Sequence, residues 1–198
     1  ASSTNRAHAS RSEMSSLAPT DDVASERIDR LAAADWHFAT AKTQTGVHGI
    51  HPYPAKFIPQ IPRQLIEILA PSPGSVVFDP FCGSGTTLVE AQSAGYSSVG
   101  VDLNPIATLI ARAKTRHTTR SVHLAAQLIV RNAREATVSV PSIPRVDHWF
   151  SKDVQSALAR LVDGISRVED DHLRDDLRLA LSSIIVRVSF QDGDTRYA

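Results

Sequence analysis

The chain has one cysteine, Cys82, among its 198 residues. That excludes an intrachain disulfide and any four-cysteine zinc site. It has no net charge, with 21 basic residues against 21 acidic ones, so nothing marks it as a globally basic nucleic-acid binder. A local basic face stays open. No apolar run approaches the roughly 18 residues of a membrane helix. The first residues lack the apolar core of a signal peptide, so a cytoplasmic location is expected. The eight histidines form no HExxH and no Cys/His ligand pattern, so no metal is expected. His48 and His51 read as structural or polar loop residues. The chain begins with Ala1 rather than Met, which leaves a processed, trimmed or misplaced start open.

What is present suits one domain, or one with an appendage, at 42% hydrophobic content. Charge is unevenly placed. Residues 1–41 hold 4 basic and 6 acidic groups, residues 42–120 hold 7 and 4, and residues 121–198 hold 10 and 11. Only the middle is net positive. Residues 1–20 are rich in Ser, Ala and Thr, with Met14 and Leu17 as the large apolar exceptions, and predict a disordered tail. Asp21 and Asp22 open a short helix through Ala34, with Trp36 and Phe38 expected to anchor it. Residues 43–63 carry Pro52, Pro54, Pro59 and Pro62, which predicts an extended, rigid loop. A helix from Pro62 to Leu69 follows and ends at Pro71-Ser72-Pro73-Gly74.

Val76-Val77-Phe78-Asp79 is a short apolar run bounded by turns, as in a buried parallel strand. Phe81-Cys82-Gly83-Ser84-Gly85 is a glycine turn, Thr86 to Ala94 a helix, and Val99 to Asp102 a second strand. Pro105 opens another helix, where proline is accepted. The order is strand, turn, helix, strand, helix, a βαβ unit with a second helix. Beyond residue 120, segments 121–136, 153–168 and 172–188 have helical periodicity, separated by a linker at 137–150.

A strand that delivers a glycine turn to the carboxyl edge of a parallel sheet brings backbone close to a ligand. The second strand ends in Asp102, 17 positions after Gly85, where a carboxylate can accept both hydroxyls of a ribose. A dinucleotide fingerprint fails because Leu88 stands at its third glycine. A phosphate-binding loop fails because no lysine follows Gly85. S-adenosylmethionine, which lacks phosphate and needs the shorter turn, remains. An ordinary strand–turn–helix with no ligand is the competing reading, and the combination with Asp102 and Asn104-Pro105 disfavours it.

These residues carry a resemblance. DPFCGSGTT at 79–87, HPYPAKF at 51–57 and GVDLNP at 100–105 are similar to motifs of the DNA amino-methyltransferases, which make N6-methyladenine or N4-methylcytosine. The match spans about residues 45–120. The resemblance implies a partial Rossmann-like methyltransferase fold of the α/β class, with an incomplete parallel sheet and a helical C-terminal segment. It implies S-adenosyl-L-methionine as cofactor and DNA as partner. Asp79 and the backbone from Phe81 through Gly83 to Gly85 would hold the methionine portion, with Thr86 near its carboxylate. Asp102 would bind the ribose hydroxyls. Asn104, Pro105 and Ile106 would line the adenine, and Lys56 and Phe57 would contact the cofactor from the proline-rich loop. Cys82 reads as a small packing residue, not a nucleophile.

That family handles the target base with an (Asp/Asn/Ser)-Pro-Pro-aromatic motif. No Pro-Pro dipeptide occurs in this sequence, so no catalytic residue is assigned. The expected organisation is a tail at 1–20, a cofactor-binding region at 21–120, and a helical region at 121–198 leading to a missing catalytic segment. The chain alone is then expected to be inactive and to depend on a missing C-terminal half or a second subunit. Two alternatives stand beside this: a non-catalytic methyltransferase-like assembly module, and an RNA methyltransferase. The basic stretch Arg112, Lys114, Arg116, His117 and Arg120 would touch phosphate, or simply suit a helix end.

Overall fold

The computed structural model describes residues 21–42, 45–54, 56–69, 71–116 and 121–191. The tail at 1–20, His117 and Arg120 therefore lie outside the described residues. Helix α1 spans Asp21–Ala33 and α2 spans Gln60–Leu69. Strand β1 is Val76–Asp79, α3 is Thr86–Ser93, β2 is Ser97–Gly100 and α4 is Pro105–Thr115. Four helices follow: α5 at Val122–Ala133, α6 at Val146–Trp149, α7 at Lys152–Ser166 and α8 at Asp171–Ile185.

Helix starts follow their caps. The side chains of Asn104, Ser121, Ser151 and Asp170 each accept a hydrogen bond from a backbone N–H two or three residues on. Pro105 occupies the first turn of α4, where its missing N–H costs nothing. Two expectations change. The proline-rich loop is not extended throughout, because Gly46–Gly49 forms a 3-10 turn and α2 begins at Gln60 rather than Pro62. The 137–150 linker contains α6, unforeseen between Pro144 and Phe150.

β1 and β2 run parallel, with Val76 opposite Ser97 and Asp79 opposite Gly100. The second strand sits two residues earlier than its apolar run suggests. Val101 still continues the pairing, since its N–H donates to the Asp79 carbonyl at 3.0 Å and its carbonyl accepts from Cys82 N at 2.9 Å. The expected α/β class with an incomplete parallel sheet is what the chain adopts: a βαβ core of two strands with helices around it.

Helix α3 packs on both strands, α4 packs on α3 and on α8, and α5 packs on α7 and α8. The core joins Leu109 and Ile110 of α4 to Leu179 of α8, with Tyr53 and Ala113 against them. The helical C-terminal region is thereby packed onto the βαβ unit. Among the described residues, the other sheet face is uncovered. Val76, Phe78 and Val99 are each more than half exposed, as is Val101 just beyond β2. Trp36 and Phe38 stack edge to face on one another at 6.5 Å, and the Trp36 indole N–H donates to the Leu31 carbonyl at 3.1 Å. Among the described residues, no helix is long and apolar enough to cross a membrane.

Candidate functional site

β1 delivers its last residue, Asp79, to the carboxyl edge of the sheet, and the chain turns through residues 80–85 into α3. Gly85 makes that turn at φ 79°, a left-handed conformation that a side chain opposes. It also lies against α4, where an added Cβ would sit 2.8 Å from that of Ala111. Gly100 is needed for a close approach, because a Cβ there would meet Cys82 Cβ and Leu88 Cδ1 at 2.7 Å. The turn is thus pressed between α4 and the end of β2.

A cleft of about 250 Å³ opens beside it, lined by Tyr53, Lys56, Phe57, Asp79, Phe81, Cys82, Gly83, Ser84, Thr86 and Thr87. Six residues proposed from sequence therefore share one cavity wall: Lys56, Phe57, Asp79, Phe81, Gly83 and Thr86. Gly85 stands behind them. Asp102, Asn104 and Pro105 lie at the rim, off the wall, where β2 passes into α4.

Hydrogen bonds tie the rim to the turn. The Asp102 carboxylate accepts from Gly83 N through Oδ2 and from Asn104 N through Oδ1, each at 2.8 Å. Asp79 Oδ1 accepts from Phe81 N at 3.0 Å. Asn104 caps α4 with its Oδ1 and donates from Nδ2 to the Tyr53 hydroxyl at 3.4 Å. The first turn of α3 has no side-chain cap; its first helical bond runs from Val89 N to the Gly85 carbonyl. The N–H groups before it are thus left without a helical partner, and two of their residues, Thr86 and Thr87, line the cleft, a setting that favours an anion. The Asp79 carboxylate on the wall, the Asp102 carboxylate bonded to Gly83 and the free amides at the start of α3 suit a zwitterionic, ribose-bearing ligand. Phe81, 87% exposed, and Phe57 add apolar surface at the mouth.

Three features escaped the sequence reading. Lys114 of α4 is buried, and its ammonium donates to Ser84 Oγ at 3.2 Å. Burial, with Lys56 nearby, pushes its pKa down to about 8. Glu90 of α3 is buried beneath the loop; it accepts from Arg63 Nε at 2.7 Å and bonds His48 Nε2 at 2.9 Å. Tyr53 bridges the loop and Asn104. Only a tertiary fold reveals such partners, which lie tens of residues apart.

His48 and His51 are buried and hydrogen-bonded, His51 to the Pro52 carbonyl at 2.6 Å and to Ser182 Oγ at 3.1 Å. The proposed basic stretch does not face solvent as a unit. Arg112 pairs with Asp175 at 3.5 Å and Arg116 with Asp175 and Asp176 at 3.6 and 3.3 Å, while Lys114 turns inward. Cys82 packs with Leu88 and Ala111. Burial, then the negative charges of Asp79 and Asp102, raise its thiol pKa, so it stays protonated at neutral pH. Cys82→Ala should cost about 1 kcal/mol in urea denaturation and leave ligand affinity within about twofold. A tenfold affinity loss would refute the packing role.

A family model for DNA methylases of the N6/N4 type matches residues 6–112. The Type II methyltransferase M.MvaI of Kocuria varians is 30% identical over 165 residues, 77% of this chain but 36% of that protein. The Type II methyltransferase M.MjaII of Methanocaldococcus jannaschii is 44% identical over 85 residues, 40% of this chain and 16% of that one. A tRNA (guanine(10)-N2)-dimethyltransferase from the same archaeon is 33% identical over 52 residues, 26% of the chain and 15% of that protein. The chain therefore spans about a third or less of these relatives. No solved structure matches it.

Proposed function

The chain belongs to the N6/N4 DNA methylase family, and from that premise we propose that it binds S-adenosyl-L-methionine as the cofactor-holding part of a DNA amino-methyltransferase, acting on adenine N6 or cytosine N4. One observation carries the reading: the glycine turn, the uncapped start of α3 and the Asp79 carboxylate line a single cleft, and the Asp102 carboxylate is hydrogen-bonded to Gly83 on its wall.

The residues fit the ligand chemically. Asp79 faces the ammonium of its methionine end, and the amides at the start of α3, from Thr86 on, face the carboxylate. Asp102 accepts the ribose hydroxyls. Asn104, Pro105 and Ile106 flank the adenine, and Lys56 and Phe57 close over the opposite side from the loop. When bound, the cofactor supplies an electrophilic methyl group on sulfonium; this chain's residues fix its orientation and limit water around it.

The base-handling segment with a Pro-Pro-aromatic core is then supplied by polypeptide outside these 198 residues, within the same enzyme or on a second subunit. The cofactor-binding region would be 21–120 and the helical region 121–198 its support. DNA contacts would come mainly from that other part, which accords with the zero net charge and with the pairing of Arg112 and Arg116 to aspartates. An RNA substrate is a second reading, favoured by the similarity to a tRNA-modifying enzyme over 52 residues.

Calorimetric titration of the folded chain with S-adenosylmethionine should give micromolar binding, and assays of the chain alone on DNA no methyl transfer. A folded chain that fails to bind overturns the cofactor reading. Transfer by the chain alone overturns the need for a further segment.

A further inference from the structure

Among the described residues, Lys114 is a buried cation without a counter-charge. It sits in the last turn of α4, 6% exposed, and its single hydrogen-bond partner among the described residues is the neutral Ser84 hydroxyl. The charge that acts on it is that of Lys56, another cation, which donates to the His48 carbonyl at 3.1 Å. Burying one ammonium group within the field of another is costly. Its neighbours on α4 do not share the arrangement. Arg112 and Arg116 lie on the other side of the helix and are neutralised by aspartates of α8.

The place Lys114 reaches is the glycine turn. Ser84 lines the cleft, and the uncapped start of α3 follows immediately. Free amides, a serine hydroxyl and a lysine charge behind it form an anion-accepting corner, and the missing counter-charge is the ligand's to supply. We propose that Lys114 is a positioning residue for the carboxylate of the cofactor's amino-acid end, acting through Ser84 and the field it places across the turn. This rests on the S-adenosylmethionine reading and deepens it. A purely structural lysine would be expected to find a carboxylate; this one is held in a costly state that an anionic ligand relieves.

The test uses two ligands that differ at that end. S-adenosylhomocysteine carries the carboxylate, and 5′-methylthioadenosine lacks the whole amino-acid portion. Lys114→Met and Lys114→Gln are each titrated with both, and their melting temperatures measured without ligand. The expected result is a tenfold or greater loss of S-adenosylhomocysteine affinity, with methylthioadenosine affinity within twofold. Removing an unneutralised buried charge should also leave the melting temperature of Lys114→Met unchanged or raised by a few degrees. Equal losses for both ligands, or no loss for either, overturn the role of Lys114 while leaving the cofactor site standing. A wild-type chain that binds neither ligand overturns the cofactor reading itself.

Discussion

Asp102→Asn should weaken S-adenosylmethionine binding roughly a hundredfold, about 2.7 kcal/mol. The substitution keeps size and shape, so its effect is one of charge and hydrogen-bond direction. Each Asp102 oxygen already accepts one backbone N–H, from Gly83 and from Asn104. An ionised carboxylate has about four acceptor positions, so one per oxygen remains for the two hydroxyls of a ribose. Asparagine has one acceptor oxygen and an amino group. That amino group would face the N–H of Gly83 or of Asn104, donor against donor, and one hydroxyl would lose its partner. Hydrogen bonds to a charged acceptor contribute about 1.5–3 kcal/mol each, which sets the expected scale. Calorimetry checks the loss, and a 2′-deoxy cofactor analogue checks its origin. Wild type should discriminate against the deoxy ligand about tenfold, and Asp102→Asn hardly at all. Affinity within threefold of wild type would refute the ribose assignment.

The turn that carries Asp102's partner was legible in the sequence because its cause is local. Gly83 and Gly85 answer to backbone geometry, and Asn104-Pro105 announces a cap and a first turn whose start the structure keeps at Pro105. Ser121, Ser151 and Asp170 likewise fix helix starts within a residue of those expected from periodicity. β2 starts two residues before its apolar run for a physical reason. With one sheet face uncovered among the described residues, Ser97 is an acceptable strand residue, and Ser98 on the opposite face donates its hydroxyl to the Leu88 carbonyl at 3.3 Å, so the apolar run Val99–Val101 marks only half of the pairing. The basic stretch on α4 shows what spacing alone omits. Residues two apart on a helix point roughly 200° apart, while residues four apart share a face. Arg112 and Arg116 therefore meet the aspartates of α8, and Lys114 between them meets the glycine turn. Their fates depend on which element packs on each face, and that is set by residues some 60 positions further along the chain.

Glu90 is the harder case, and its removal carries the largest expected cost in stability. In the sequence it is one acid in a helix of mixed character; in the fold it is 2% exposed and holds two partners from the preceding segments. His48 lies in the proline-rich loop and Arg63 on α2, so this one carboxylate fastens both to α3. Glu90→Ala leaves a void beneath the loop and strips the His48 ring of its acceptor, because His48 Nδ1 has no other partner among the described residues. Breaking a buried pair from one side costs about 3–5 kcal/mol, and the lower end applies here because the Arg63 side chain is 55% exposed and can regain water. A loss of about 3 kcal/mol is a large part of a domain's stability. Glu90→Gln keeps the volume and one acceptor oxygen and should cost about half as much. The consequence extends to the ligand. Lys56 donates to the carbonyl of His48, and Phe57 follows it, so a loosened His48 frees the residues proposed to close over the cofactor. Urea denaturation of both variants measures the first effect, and amide exchange at residues 45–54 together with S-adenosylmethionine affinity measures the second. A Glu90→Ala protein within 1 kcal/mol of wild type, with unchanged exchange in the loop, would refute the fastening role.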